Sequence, residues 1–154
     1  MESKLDKALL SEIDDLGQET GELANELGKL IRAVEDRINQ LPGRVEAQAV
    51  EPLQGQEGWV VRLRYRRHEN KQQGWGIYVN RGALADKKTG RIIQSAPDAW
   101  LPDASLDLKV DSCRALPALF LAIREAQQEM VNKLAPAVTS LQNMVEQLRQ
   151  KEGA

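Results

Sequence analysis

Residues 59–67 read WVVRLRYRR, in which apolar and basic side chains alternate. A period of two is typical of a β-strand that has one apolar face. The apolar face would carry Trp59, Val61, Leu63 and Tyr65. The opposite face would carry Arg62, Arg64 and Arg66, because side chains two residues apart leave a strand on the same side. This segment therefore predicts a strand with a basic outer face.

A second strand is predicted in the residues that follow, GWGIYVN at 74–80. Here Trp75, Ile77 and Val79 alternate with Tyr78 and with small or polar residues, so Tyr78 falls on the polar side. The polar residues around His68–Gln73 would form the hairpin loop. Residues 45–50 and 91–94 are weaker strand candidates, and residues 97–104, with two prolines, predict a loop. Together these segments indicate a small antiparallel sheet of three to four strands.

The N-terminal segment predicts one long helix. Residues 9–34, LLSEIDDLGQETGELANELGKLIRAV, place apolar residues alternately four and three positions apart, with Thr20 as the one break. This is a heptad pattern, with Leu9 at position d and Ile13 at position a. Leu41-Pro42-Gly43 should end the helix, since proline cannot continue it. We expect a helix over residues 5–41.

The residues that flank this heptad stripe differ on its two sides. The e positions are apolar or small, whereas the g positions are acidic: Glu12, Glu19 and Glu26. A stripe that includes a, d and e is wider than the seam of a two-stranded coiled coil and suits a bundle, where each helix touches two neighbours.

The C-terminal segment repeats the pattern. The four–three alternation runs through Phe120, Ile123, Gln127, Met130, Leu134, Ala137, Leu141, Met144 and Leu148, with valines at the e positions. Pro117 is expected in the first turn of this helix, and Pro136 should kink or restart it. Residues 106–113 fit either a strand or a short helix capped by Asp103, and the cap favours the helix.

These patterns predict an α+β fold in one structural unit: an N-terminal helix at 1–41, a sheet with a basic face at 44–96, and C-terminal helices at 103–150 that pack as a bundle or coiled coil. Antiparallel pairing of the two terminal helices is the simplest arrangement in one chain. Two paired helices alone would leave their e positions exposed to solvent. We therefore expect a homo-oligomer, with a dimer favoured. Its interface would contain Leu9, Ile13, Leu16, Leu23, Leu27, Leu30, Met130, Leu134 and Leu141.

The sequence carries little that indicates catalysis. It has no phosphate-binding glycine loop, no nucleophile elbow and no H-E-x-x-H motif. The lone His68 is expected in a solvated loop and the lone Cys113 as a small buried apolar residue, and so few ligands make a zinc site implausible. We therefore expect no catalytic residue, no cofactor and no metal. With no long apolar run and no signal-like N-terminus, we also expect no membrane association and a cytoplasmic location.

Charge is unevenly distributed along the chain. The whole protein has a net charge of −2, yet residues 59–91 contain nine basic and two acidic side chains. Arg62, Arg64 and Arg66 would lie about 6–7 Å apart, close to the phosphate repeat of a nucleic-acid strand, and Tyr78 beside them is placed to stack on a base. Alternatively, the arginines cover the open sheet face or pair with acidic helices of this chain or of a partner.

The function predicted from these features is non-catalytic. We expect an oligomerising interaction or adaptor protein that self-associates through its helices and presents a basic sheet face to a protein partner. A nucleic-acid-binding accessory protein that uses the three arginines is the alternative, and an assembly chaperone or regulatory subunit is a weaker one.

Overall fold

Two long helices cover one face of an antiparallel sheet in the computed structural model, which describes residues 6–69, 74–86, 88–94 and 97–153. Helix α1 spans Lys7–Asn39 and helix α2 spans Leu106–Glu152. Between them lie β1 (Ala47–Pro52), β2 (Trp59–Arg67), β3 (Trp75–Asp86), β4 (Arg91–Gln94), β5 (Ala99–Trp100) and a short 3-10 helix (Leu101–Asp103). The sheet order is β1-β2-β3-β4, with β5 also paired to β3. The α+β fold is therefore confirmed.

The register of the β2–β3 hairpin separates apolar from basic residues. Leu63 lies opposite Val79 and Tyr65 opposite Ile77, and all four are fully buried. On the other face, Arg64 lies opposite Tyr78 and Arg62 opposite Asn80. Trp59, predicted on the apolar face, is exposed at the start of β2. The covered part of that face therefore begins at Val61.

The core forms where the helices cross the apolar face. Helix α1 contributes Ile31 and Ile38 near its C-terminal end, and α2 contributes Ala115, Leu119 and Ile123 from its first half. Burial of each large aliphatic side chain is worth about 1.5–3 kcal/mol, so these few residues hold both helices on the sheet.

Three details of the C-terminal region differ from the sequence predictions. Residues 97–104 are not all loop, because they contain β5 and the 3-10 helix. Helix α2 is capped by Ser105, whose side chain accepts a hydrogen bond from Leu108 N at 3.3 Å, and not by Asp103. Pro117 lies well inside α2 and not in its first turn, since contacts of α2 with β1 and β2 hold the helix across this position. Nothing in the structure explains why the helix also continues through Pro136.

Both helices extend beyond the sheet as arms. We define the α1 arm as residues 7–26, where Ala24 alone is partly covered, and the α2 arm as residues 128–152, where every residue is exposed. Their large apolar side chains are 40–63 % exposed; they are Leu9, Leu10, Ile13, Leu16, Leu23, Met130, Val131, Leu134, Val138, Leu141, Met144, Val145 and Leu148. The antiparallel pairing expected within one chain is thus not formed by the arms.

The helices are long, but their apolar residues occupy only one stripe. Within the described ranges, neither helix contains a stretch apolar enough to cross a membrane.

Candidate functional site

Strand β2 places Arg62, Arg64 and Arg66 on one face of the sheet, as predicted, and all three are partly buried. Tyr78 and Asn80 of β3 lie beside them on the same face. We call these five residues the basic face. Their placement follows from the two-residue period alone, because each strand can turn only one set of alternate side chains toward the helices.

Asp98, in the segment before β5, pairs with the basic face. Its carboxylate lies 3.3 Å from Arg64 Nη1 and 3.6 Å from Arg66 Nη2. It also accepts a hydrogen bond from Asn80 Nδ2. The Asp98 side chain is only 10 % exposed. Arg64 and Arg66 thus pair with a carboxylate in the segment before β5, whereas the pairing expected from the sequence was with acidic helices.

The basic face is crowded as well as charged. Burial is the main cause that lowers the pKa of Arg62, and the like charge of Arg64 adds to it. The Arg66 guanidinium lies 3.6 Å from the centre of the Tyr78 ring. Burial raises the pKa of Tyr78, although the charge of Arg66 opposes the shift. One face of the Tyr78 ring is thus already covered, which leaves less of the ring for the base stacking that its position suggested.

His68 does not lie in a solvated loop as predicted. It is partly buried, its Nδ1 lies 2.6 Å from the Tyr78 hydroxyl, and its ring packs edge-on against Trp100. Gly76 makes room for both rings, since a Cβ there would lie 2.5 Å from His68 Cε1 and 2.9 Å from Trp100 Nε1. The histidine therefore packs against Tyr78 and Trp100 just beyond the end of β2.

Glu35 is a buried carboxylate that the sequence did not single out. It is 6 % exposed and extends from α1 to the edge of β3. One oxygen accepts hydrogen bonds from Ile77 N and from Trp100 Nε1, each at 2.9 Å. Its heptad position is an outward one, so no sequence signal marks it. Glu35 joins α1, β3 and β5 at one point.

Cys113 is exposed, so its prediction as a small buried residue is wrong. Its Sγ donates to Lys109 O at 3.2 Å within α2. Desolvation by neighbouring groups raises the pKa of the thiol, which disfavours the nucleophilic thiolate. Among the described residues, no group of three His, Cys, Asp or Glu side chains is arranged to hold a metal ion.

The predicted interface residues fall into two classes. Leu9, Ile13, Leu16, Leu23, Leu30, Met130, Leu134 and Leu141 are exposed in the single chain, whereas Leu27 is partly buried against the core. Leu27 thus supports the protomer itself. The exposed residues are available to a partner.

The chain was compared with protein-family models, with curated proteins and with solved structures, and none of them matches.

The basic face gives a prediction about nucleic acid. We expect no measurable binding of single-stranded DNA or RNA at about 50 mM salt, because Asp98 partly neutralises the arginines and the chain as a whole is acidic. Fluorescence anisotropy with labelled oligonucleotides over a salt series tests this. Binding with a steep salt dependence would contradict it, particularly if replacing Arg62, Arg64 and Arg66 with Gln lowers the slope by roughly 0.7 per lost phosphate contact.

Proposed function

We propose that this protein is a non-catalytic interaction or adaptor protein that self-associates through its two helical arms and offers its basic face to an acidic protein partner. The observation that carries the proposal is the apolar stripe that each arm leaves exposed. We also propose that it acts in the cytoplasm, which suits a chain whose single cysteine can form no internal disulfide.

The extent of the apolar surface supports self-association. Thirteen large aliphatic or methionine side chains are exposed along the two arms. Monomeric soluble proteins rarely expose contiguous apolar patches of more than a few hundred Å². A second copy of the chain would cover such stripes.

Helix energetics support the same proposal. In proteins, most of the stability of a helix comes from tertiary packing of its apolar face and not from intrinsic propensity. The α1 arm contains Gly17 and Gly21, each of which costs about 1 kcal/mol relative to alanine. The α2 arm contains Pro136, which removes a helical hydrogen bond. Both arms therefore depend on a partner for their stability as helices.

The basic face favours a carboxylate-bearing partner over a polyphosphate. Asp98 already shows that a single carboxylate fits between Arg64, Arg66 and Asn80. Because Asp98 occupies this position, an acidic protein segment would pair with the outward part of the Arg64 side chain, which is 33 % exposed. A nucleic-acid strand is the alternative partner, and the salt series described above distinguishes it from an acidic protein.

Sedimentation equilibrium over a range of protein concentrations tests self-association. We expect the mass to rise from 17.2 kDa at the lowest concentrations to twice that value at micromolar concentrations and above. A mass of 17.2 kDa at every concentration would contradict the proposal. That result would favour the chaperone or regulatory-subunit alternative, in which the arms hold a different protein.

A further inference from the structure

We propose, resting on the proposed function, that the α1 arm of one copy packs antiparallel on the α2 arm of a second copy, with the acidic flank of α1 against the uncharged and basic flank of α2.

The α1 arm is strongly acidic. Residues 7–26 contain one lysine and six carboxylates. Three of the carboxylates, Glu12, Glu19 and Glu26, line one edge of the apolar stripe at heptad position g. The other edge, position e, is apolar or small at Leu10, Gly17 and Ala24. A partner helix must therefore accept negative charge along one edge and apolar contact along the other.

The α2 arm has the complementary arrangement. Residues 130–145 contain a single charged residue, Lys133. In its heptad register the g edge carries Lys133, Ser140 and Gln147. The e edge carries Val131, Val138 and Val145, all of which are exposed. This arm can accept a carboxylate edge without like-charge repulsion.

An antiparallel pair brings these edges together. Residues at e and g flank the seam of paired helices and meet their counterparts across it. In an antiparallel pair, g edges face g edges and e edges face e edges. The glutamates of α1 then face Lys133, Ser140 and Gln147, and the apolar edge of α1 faces the valines of α2.

Pairing of the α1 arms of two copies with each other places their charges less favourably than pairing of α1 with α2. In the antiparallel sense it places glutamates against glutamates, which is destabilising. In the parallel sense it places them against the apolar e edge, where the carboxylates would be desolvated without a partner. Pairing of α1 from one copy with α2 from the other avoids both costs. In a two-fold dimer this contact occurs twice, so one type of interface covers all four arms.

The base of the α2 arm offers a further point of charge complementarity. A cavity of about 530 Å³ lies between the loop at 42–45 and α2, where it is lined by Arg44, Met130, Val131 and Leu134 among others. A neighbouring cavity shares Arg44 and adds Arg67 and Lys133, together with Glu46 and Glu129. The cations outnumber the carboxylates here. In the antiparallel sense, Glu19 and Glu26 lie at the end of the α1 arm that approaches this region.

Charge exchange between the two arms tests the inference. The first variant carries Lys133→Glu, Ser140→Glu and Gln147→Glu, and the second carries Glu12→Lys, Glu19→Lys and Glu26→Lys. The dissociation constant of the first variant should be about tenfold higher or more. Its three new glutamates make six like-charge contacts in the two-fold dimer, and each contact weakens binding by a factor of about two. A chain with all six substitutions should regain at least the wild-type affinity.

The matched control combines the first variant with Asp14→Lys, Asp15→Lys and Glu22→Lys, which change the net charge equally but lie away from the stripe. This control should not regain affinity in sedimentation equilibrium. Circular dichroism at concentrations where every variant is dimeric should show the same helix content in all of them. Equal affinities for the six-fold variant and the control would overturn the inference, and so would an undiminished affinity for the first variant. A wild type that is monomeric throughout would instead remove the proposed function itself.

Discussion

Replacing Leu23 with Asp should convert the assembly into a folded monomer of 17.2 kDa. Leu23 is 63 % exposed in the single chain and is not among the partly buried residues that pack against the core, so the substitution should leave the protomer folded. In the assembly the same carboxylate would be buried without a partner, which costs several kcal/mol. We expect the dissociation constant to rise by about 100-fold or more, since each 1.4 kcal/mol is a factor of ten.

Asn25→Asp is the matched control for Leu23→Asp. It adds the same charge to the same helix at an exposed position away from the apolar stripe. Sedimentation equilibrium should show wild-type association for Asn25→Asp, and circular dichroism should show a folded sheet in both variants. Equal dissociation constants for the two variants would contradict the assignment of the stripe as the contact surface. Leu27→Asp should behave differently and unfold the protomer, because Leu27 packs against the core.

Glu35→Ala should lower the free energy of unfolding by about 2–6 kcal/mol. The carboxylate accepts hydrogen bonds from Ile77 N and Trp100 Nε1 in a buried position. Its removal leaves the buried Ile77 N–H and the partly buried Trp100 indole N–H without their acceptor, and each such group costs about 1–3 kcal/mol. Urea unfolding followed by tryptophan fluorescence measures the change. The experiment belongs in the Leu23→Asp background, where association does not contribute to the apparent stability.

Two further variants identify the source of this effect. Glu35→Gln retains an acceptor oxygen and should lose less stability than Glu35→Ala. Glu22→Ala removes an exposed glutamate from the same helix and should change the unfolding free energy by less than about 0.5 kcal/mol. A loss for Glu35→Ala as small as that of Glu22→Ala would show that Glu35 does not hold α1 to the sheet.

The periodic parts of the fold could be predicted from the sequence because their signals are local. The heptad spacing at 9–34 predicted α1, and the two-residue alternation at 59–67 predicted strand β2 and the common face of the three arginines. Each pattern repeats over several turns or residue pairs, so one exception, such as Thr20, does not obscure it.

The features that were missed depend on contacts between distant segments. Asp98 meets Arg64 and Arg66 only because β5 pairs with β3, and a strand of two residues has no period to detect. Glu35 has an outward heptad position and is buried because the edge of β3 and Trp100 lie over it. Pro117 was expected in the first turn of a helix, where its missing N–H costs nothing. The helix instead begins at Leu106, and contacts of α2 with the sheet stabilise it across the proline.

Hydrogen exchange resolved by peptide at two protein concentrations tests most directly that the arms are the surface of self-association. Above the dissociation constant, amides in residues 7–26 and 128–152 should be protected, because partner contacts stabilise both arms as helices. Well below it, the same amides should exchange rapidly, while those of β2 and β3 stay protected in the folded protomer. Arm amides whose exchange is the same at both concentrations, in a protein whose mass changes between them, would contradict the account.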